Sequence, residues 1–224
     1  MFDPTPRWPI SVRALILRAV LYLLVIGAIA QGAYLEAAYL PSVRFSERGF
    51  TELAQTAFLA AACALLLYAR CVYKVWPHVI MLMFAFVAAS LVREQDSFLD
   101  AYAAKNVWKI LVALIVIPII AWVVFHRRRF AAELAEYGNT FSLGLFTGGV
   151  LTTYVFSRLY GRTILWQAIM EDDYLRSVKD MAEEIVELMG YSLILFATIE
   201  LLLLTRRIYR AQQQHVSGRT SMSE

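Results

Sequence analysis

The chain has 224 residues, 60% of them hydrophobic and 17% charged, with a mean hydropathy of +0.58. That apolar excess is more than the core of a soluble domain of this length requires, and long uncharged runs account for it. The net charge of +3 is spread as membrane orientation would spread it, so nucleic-acid binding gains no support.

In chain order, residues 1–13 read as a proline-bearing cytosolic lead-in. Six apolar runs follow: Ala14–Tyr34, Phe50–Ala69, Trp76–Val92, Val107–Phe125, Thr140–Leu159 and Ile185–Thr205. Each is close to the ~20 residues a helix needs to cross hydrocarbon. None alternates as the strands of a membrane barrel do. The expectation is an all-α membrane protein: a six-transmembrane-helix bundle over residues 14–207, both termini cytoplasmic, with a disordered polar tail over 208–224. Ala28-Ile29-Ala30 has the look of a signal-peptidase site. However, the preceding apolar run exceeds the usual ~7–15-residue core and Arg18 interrupts its start, so residues 1–30 are read as a retained span.

Local signals refine the runs. Trp76-Pro77 opens the third, since proline suits a first helical turn, and Pro118 is placed to bend the fourth. Residues 126–139 form a basic connection, expected as a short surface helix with an Arg129–Glu133 pair. Gly144 and Gly148 in the fifth run form a GxxxG. Close packing inside the bundle is the expected role, with self-association into a homo-oligomer as the competing one. Residues 161–179, with Ile164, Leu165, Trp166, Ile169 and Met170, are expected to hold a helix lying in the interface. Cys63 and Cys71 lie eight positions apart along one helix, ~12 Å of rise, and cannot bridge each other.

Basic residues abut the inner ends of the spans at Arg127–Arg129 and Arg206–Arg210, which places both termini inside a cell or plasma membrane. Of the eighteen carboxylates, all but Asp3, Glu133, Glu136, Glu200 and Glu224 then face outward. Asp180, Glu184, Glu187 and Tyr191 share one face of the last span. Neutral polar residues gather at the same ends: Gln31, Gln55, Ser90, Thr152, Thr153 and Ser157. Buried polar groups in a membrane are costly, which makes such a cluster a site to consider.

Three readings follow. In the first, Glu52 and Glu187 act catalytically. Glu94, Asp96 and Glu184 hold a hard divalent cation such as magnesium, calcium or manganese. Arg93, Arg158, Arg162 and Tyr191 bind an anionic phospholipid or isoprenoid-phosphate headgroup. In the second, carboxylates within the spans mark a proton- or cation-coupled transporter or channel, although the inner halves offer little polar beyond His78, Thr198 and Glu200. In the third, the acids pair with nearby bases, as Arg176–Asp180 and Lys179–Glu183 would at i, i+4, and the protein is a non-catalytic accessory or scaffold subunit of a membrane complex. No Walker loop, GxSxG, HExxH or CxxC occurs in the sequence.

Overall fold

The computed structural model describes residues 10–39, 49–102 and 105–220. The expected lead-in up to residue 9, the first outer loop with Pro41, and the last four residues lie outside them. Among the described residues the structure is all helical. The helices are α1 (Val12–Tyr39), α2 (Phe50–Val72), α3 (Pro77–Glu94), α4 (Asp96–Tyr102), α5 (Val107–Phe125), α6 (Arg127–Tyr137), α7 (Phe141–Val150), α8 (Ser157–Tyr160), α9 (Thr163–Met170) and α10 (Arg176–Thr220), with a π-helical turn Leu151–Phe156 joining α7 to α8.

Five helices, α1, α2, α3, α5 and α10, are long and apolar enough to cross a membrane. The remaining expected span, the fifth run, is helical from Phe141 to Tyr160 but passes through the π turn. There the Thr152 hydroxyl donates to the Gly148 carbonyl (2.8 Å), and the Ser157 amide reaches back to the Thr152 carbonyl. A threonine occupying the carbonyl four residues back loosens the α-helical ladder at that point. Helices form at both expected places, α6 after His126 and α9 within residues 161–179. At 45 residues, α10 is ~67 Å long, about twice the ~30 Å of hydrocarbon. It therefore extends past both ends of its apolar stretch, and residues expected as tail are helical as far as Thr220.

The chain divides into two compact units. The first comprises Met1–Phe58 and Gly144–Phe196. Here residues 149–161 run against α10. A side chain at Gly149 would strike the Gly190 carbonyl (2.8 Å) and Ile194 (2.7 Å), one at Gly190 would strike Thr153, and one at Gly161 would strike Glu183 (2.6 Å). Gly149, Thr153, Ser157 and Gly161 thus form a stripe of small residues at four-residue spacing. Four residues overrun a 3.6-residue turn, and the wider π turn takes up that overrun so that the stripe stays aimed at α10. A side chain added at Gly144 or Gly148 would meet nothing within 4 Å among the described residues, so the close packing expected of that pair falls to Gly149 instead. Tyr22 of α1 stacks on Phe196 of α10 with centroids 4.1 Å apart. Gly32 makes room for the Phe50 ring.

The second unit comprises Leu59–Leu143 and Ala197–Glu224. Within it α3 packs on α5 and α6, burying Val79, Ile80, Met83 and Val87. The chain enters α3 through Lys74 and Trp76, both left-handed (φ 55° and 47°). That conformation costs a non-glycine residue ~1–2 kcal/mol. At Trp76 it is offset by a 2.8 Å hydrogen bond from Nε1 to Glu136 and by ring packing on Tyr137 at 5.5 Å.

Gly190→Ala is expected to destabilise the protein by about 1–3 kcal/mol, the usual cost of overpacking. Gly144→Ala and Gly148→Ala are expected to stay within about 0.5 kcal/mol. Thermal unfolding of the detergent-solubilised chain, followed by tryptophan fluorescence, separates the two outcomes.

Candidate functional site

The small stripe of the first unit brings chemistry with it. Ser157 and Arg158 are adjacent on the stripe helix and meet the acid-bearing face of α10. Ser157 Oγ donates to Glu187 Oε1 at 3.0 Å, and Arg158 Nη2 lies 3.0 Å from the same oxygen. The other arm of the guanidinium, Nη1, donates to Glu183 at 2.7 Å. Lys179 Nζ closes the chain at 2.8 Å from Glu183 and 3.0 Å from Asp180. Arg176 reaches Asp180 at 3.5 Å. The expected Arg176–Asp180 and Lys179–Glu183 pairs are therefore present, and Arg158 extends them across to a second helix. Burial is uneven: the Glu187 side chain is 5% exposed and that of Arg158 is 50% exposed.

The remaining expected residues of this unit are placed as follows. Glu184 accepts from the fully buried Gln55, whose Nε2 reaches its carboxylate at 2.9 Å and its carbonyl at 3.1 Å. Tyr191 is wholly buried, so it is not presented to a ligand arriving from outside. Glu52 is half-buried in the first turn of α2, and Arg162 is exposed at the start of α9. Of the expected set within this unit, Glu187 and Arg158 are brought into direct contact.

In the second unit Arg93 turns to its neighbour Glu94 (2.8 Å). Asp96 is exposed on α4, and Asp100 accepts the Asn106 amide at 2.8 Å. Among the described residues no group of three or more His, Cys, Asp or Glu side chains is arranged to hold a metal ion.

Two carboxylates outside the expected set each accept several short hydrogen bonds. Glu36, 1% exposed, accepts both the Thr51 amide (2.9 Å) and the Thr51 hydroxyl (2.7 Å), placing negative charge at the N-terminus of α2. Glu133 does the same for α3. Its Oε2 accepts the His78 and Val79 amides at 2.8 and 3.1 Å, and its Oε1 lies 2.6 Å from His78 Nδ1. The His78 ring stacks on Trp122 (4.3 Å), and the Arg70 guanidinium lies 5.9 Å from the Trp122 ring. Glu133, expected to pair with Arg129, turns instead to α3, where exposed amides and the positive end of the helix dipole hold it better than a surface cation. Nearby, the buried Tyr137 hydroxyl and the Ser142 hydroxyl lie 2.8 Å apart, and Ser142 donates to the Ala197 carbonyl at 2.7 Å, so Tyr137 is the donor to Ser142. Burial pushes the Tyr137 phenol up to about 12.

Comparison with protein-family models, curated proteins and solved structures finds no match to this chain.

Glu133→Ala is expected to cost about 2–4 kcal/mol, because two amides of α3 and the His78 ring lose their acceptor. Glu133→Gln, which keeps one acceptor, should cost roughly half that. Faster tryptic cleavage at Arg127–Arg129, together with a lower unfolding midpoint, checks the loss.

Proposed function

We propose that the chain is a non-catalytic integral membrane protein, an accessory or scaffold subunit of a membrane complex. It has six spans, with Phe141–Tyr160 as the fifth and both termini cytoplasmic, and its acidic outer end is a structural network. The observation that carries this reading is the saturation of the acid face of α10. Asp180 is held by Arg176 and Lys179, Glu183 by Arg158 and Lys179, Glu184 by Gln55, and Glu187 by Ser157 and Arg158. A general base or metal ligand at Glu187 would first have to release Arg158, exposing a buried carboxylate to a loss of about 3–5 kcal/mol. Headgroup chemistry at Glu187, with a divalent cation on Glu94, Asp96 and Glu184, is the weaker reading for that reason.

A partner role also suits the unburied spans. The most apolar stretch of α1 has no buried residue, and α5 is nearly as open. The uncovered Gly144 and Gly148 allow a neighbouring helix, including one from a second copy, to approach closely.

A double-mutant cycle tests the network. Arg158→Gln and Glu187→Gln should each destabilise the chain, Arg158→Gln by roughly 3 kcal/mol, the low end for a broken buried pair because the arginine is half exposed. The double variant should fall short of the sum by about 0.5–3 kcal/mol. Single variants with unchanged unfolding midpoints would leave Glu187 free for chemistry and overturn the structural reading. Native gel electrophoresis of mild-detergent extracts tests the accessory role. Migration in an assembly larger than one chain is expected, and migration as a lone monomer rejects it.

A further inference from the structure

The basic residues fall into two populations. Arg158, Arg93, Arg176 and Lys179 are each within 3.5 Å of a carboxylate. Lys74, Arg206 and Arg210 are exposed, and among the described residues no carboxylate pairs with them. These three cations, all in the second unit, come from segments more than a hundred residues apart in sequence. The contact that joins those segments is aromatic: Tyr73 packs on Tyr209 with centroids 5.6 Å apart, and Tyr68 meets Tyr73 edge-on at 5.9 Å. Desolvation and the neighbouring Tyr68 hydroxyl raise the Tyr73 phenol above its usual value, and Arg206 and Arg210 pull against them.

We infer that Lys74, Arg206 and Arg210, with the hydroxyls of Tyr73 and Tyr209, form a binding site for the phosphate of an anionic phospholipid. Arg206 follows Thr205 directly, at the end of the apolar stretch of α10, which is headgroup depth. Tyrosines prefer that depth because the ring sits among acyl chains while the hydroxyl stays wet. Arg206 and Arg210 are one turn apart on one face, so their guanidiniums can grip phosphate oxygens from two levels. Lys74 approaches from the opposite segment as a mobile point charge. Its backbone is fixed in the left-handed region (φ 55°), which turns the chain sharply at that point. The basic run Arg127–Arg129, by contrast, lies on one exposed stretch of one helix, and among the described residues no tyrosine pair ties it to a second segment. The site is independent of the Arg158 network, and its failure would leave that reading intact.

The test uses the purified full-length chain and native mass spectrometry with phosphatidylglycerol or phosphatidylcholine added in parallel. The anionic lipid should bind roughly 10- to 100-fold more tightly, following about 1 kcal/mol per cation near a charged headgroup. Most of that preference should vanish in K74Q/R206Q/R210Q, fall several-fold in R210Q alone, and persist in both R206K/R210K and R127Q/R128Q/R129Q. Equal binding of the two lipids, or a preference that survives the triple variant or follows Arg127–Arg129, would overturn the assignment. So would glycerol phosphate competing as well as the intact lipid, since the site would then serve a free phosphate ester. The variants change exposed side chains only, and R210Q keeps the test decisive should the triple variant fail to fold.

Discussion

The close approach of residues 149–161 to α10 is the constraint on which the first unit depends. Backbone meets backbone at Gly149 and Gly190, and a helix pair brought that near can place short side chains, such as that of Ser157, within hydrogen-bonding reach of the opposite face. The approach needs small residues at every fourth position, and a straight α-helix would rotate such a row off its partner within three steps. The π turn is what keeps the row aimed. Its cause is local: Thr152 takes the Gly148 carbonyl with its own hydroxyl. One threonine side chain thereby influences helix geometry, helix packing and, through packing, which arginine meets which glutamate.

A second theme unites the two units without requiring any contact between them. In each, a glutamate from one helix supplies the cap that another helix lacks. Pro77 opens α3 without an N–H, the next two amides, those of His78 and Val79, point at Glu133, and α3 has no side-chain cap of its own. Glu36 serves α2 through Thr51. A carboxylate at a helix N-terminus is stabilised by the dipole and by charge-assisted hydrogen bonds. Capping of this kind lets a chain with so much apolar surface tolerate buried acids. Buried charge in a membrane protein raises the prior for function, but capping meets the same physical requirement for a partner.

The helices were legible in the sequence because their signals are long and redundant. Val107–Phe125 was bounded to the residue, and Pro77 opens α3 as expected. The i, i+4 pairs of α10 were legible for the same reason, since helical periodicity alone places Lys179 beside Glu183. What escaped was every feature that depends on which face of one helix meets which face of another. Gly144 and Gly148 have the motif, yet Gly149 does the packing, five positions on from Gly144 and about 140° around the helix from it. Sequence spacing sets Glu133 beside Arg129 and the charge pattern sets Glu36 among the outward-facing acids, and nothing in the sequence ties them to His78 or Thr51. Tyr191 shares a face with Glu187, as read, but that face turns inward at Tyr191 and is buried. The π turn had no signal beyond the Gly148–Thr152 spacing, whose meaning appears only once the backbone is known.

The stripe and the ion pairs divide the work of specifying the first unit. Small residues repeating every four positions look nearly the same after the helix slides by one turn, about 5.4 Å. They favour closeness without choosing a register. The charged groups do choose. A one-turn slip would leave Arg158 facing one of the two glutamates, with Lys179 or Tyr191 in the other's place, and would take Ser157 off Glu187, so that a glutamate only 4% exposed as a residue loses part of its compensation. Replacing a buried pair wholesale with apolar residues is often neutral in stability, whereas isolating one member costs several kcal/mol. The energy of the Arg158–Glu187 contact therefore lies less in deepening the native state than in raising the shifted one. That is a reason for an arginine to remain half in water while it holds a glutamate that is not.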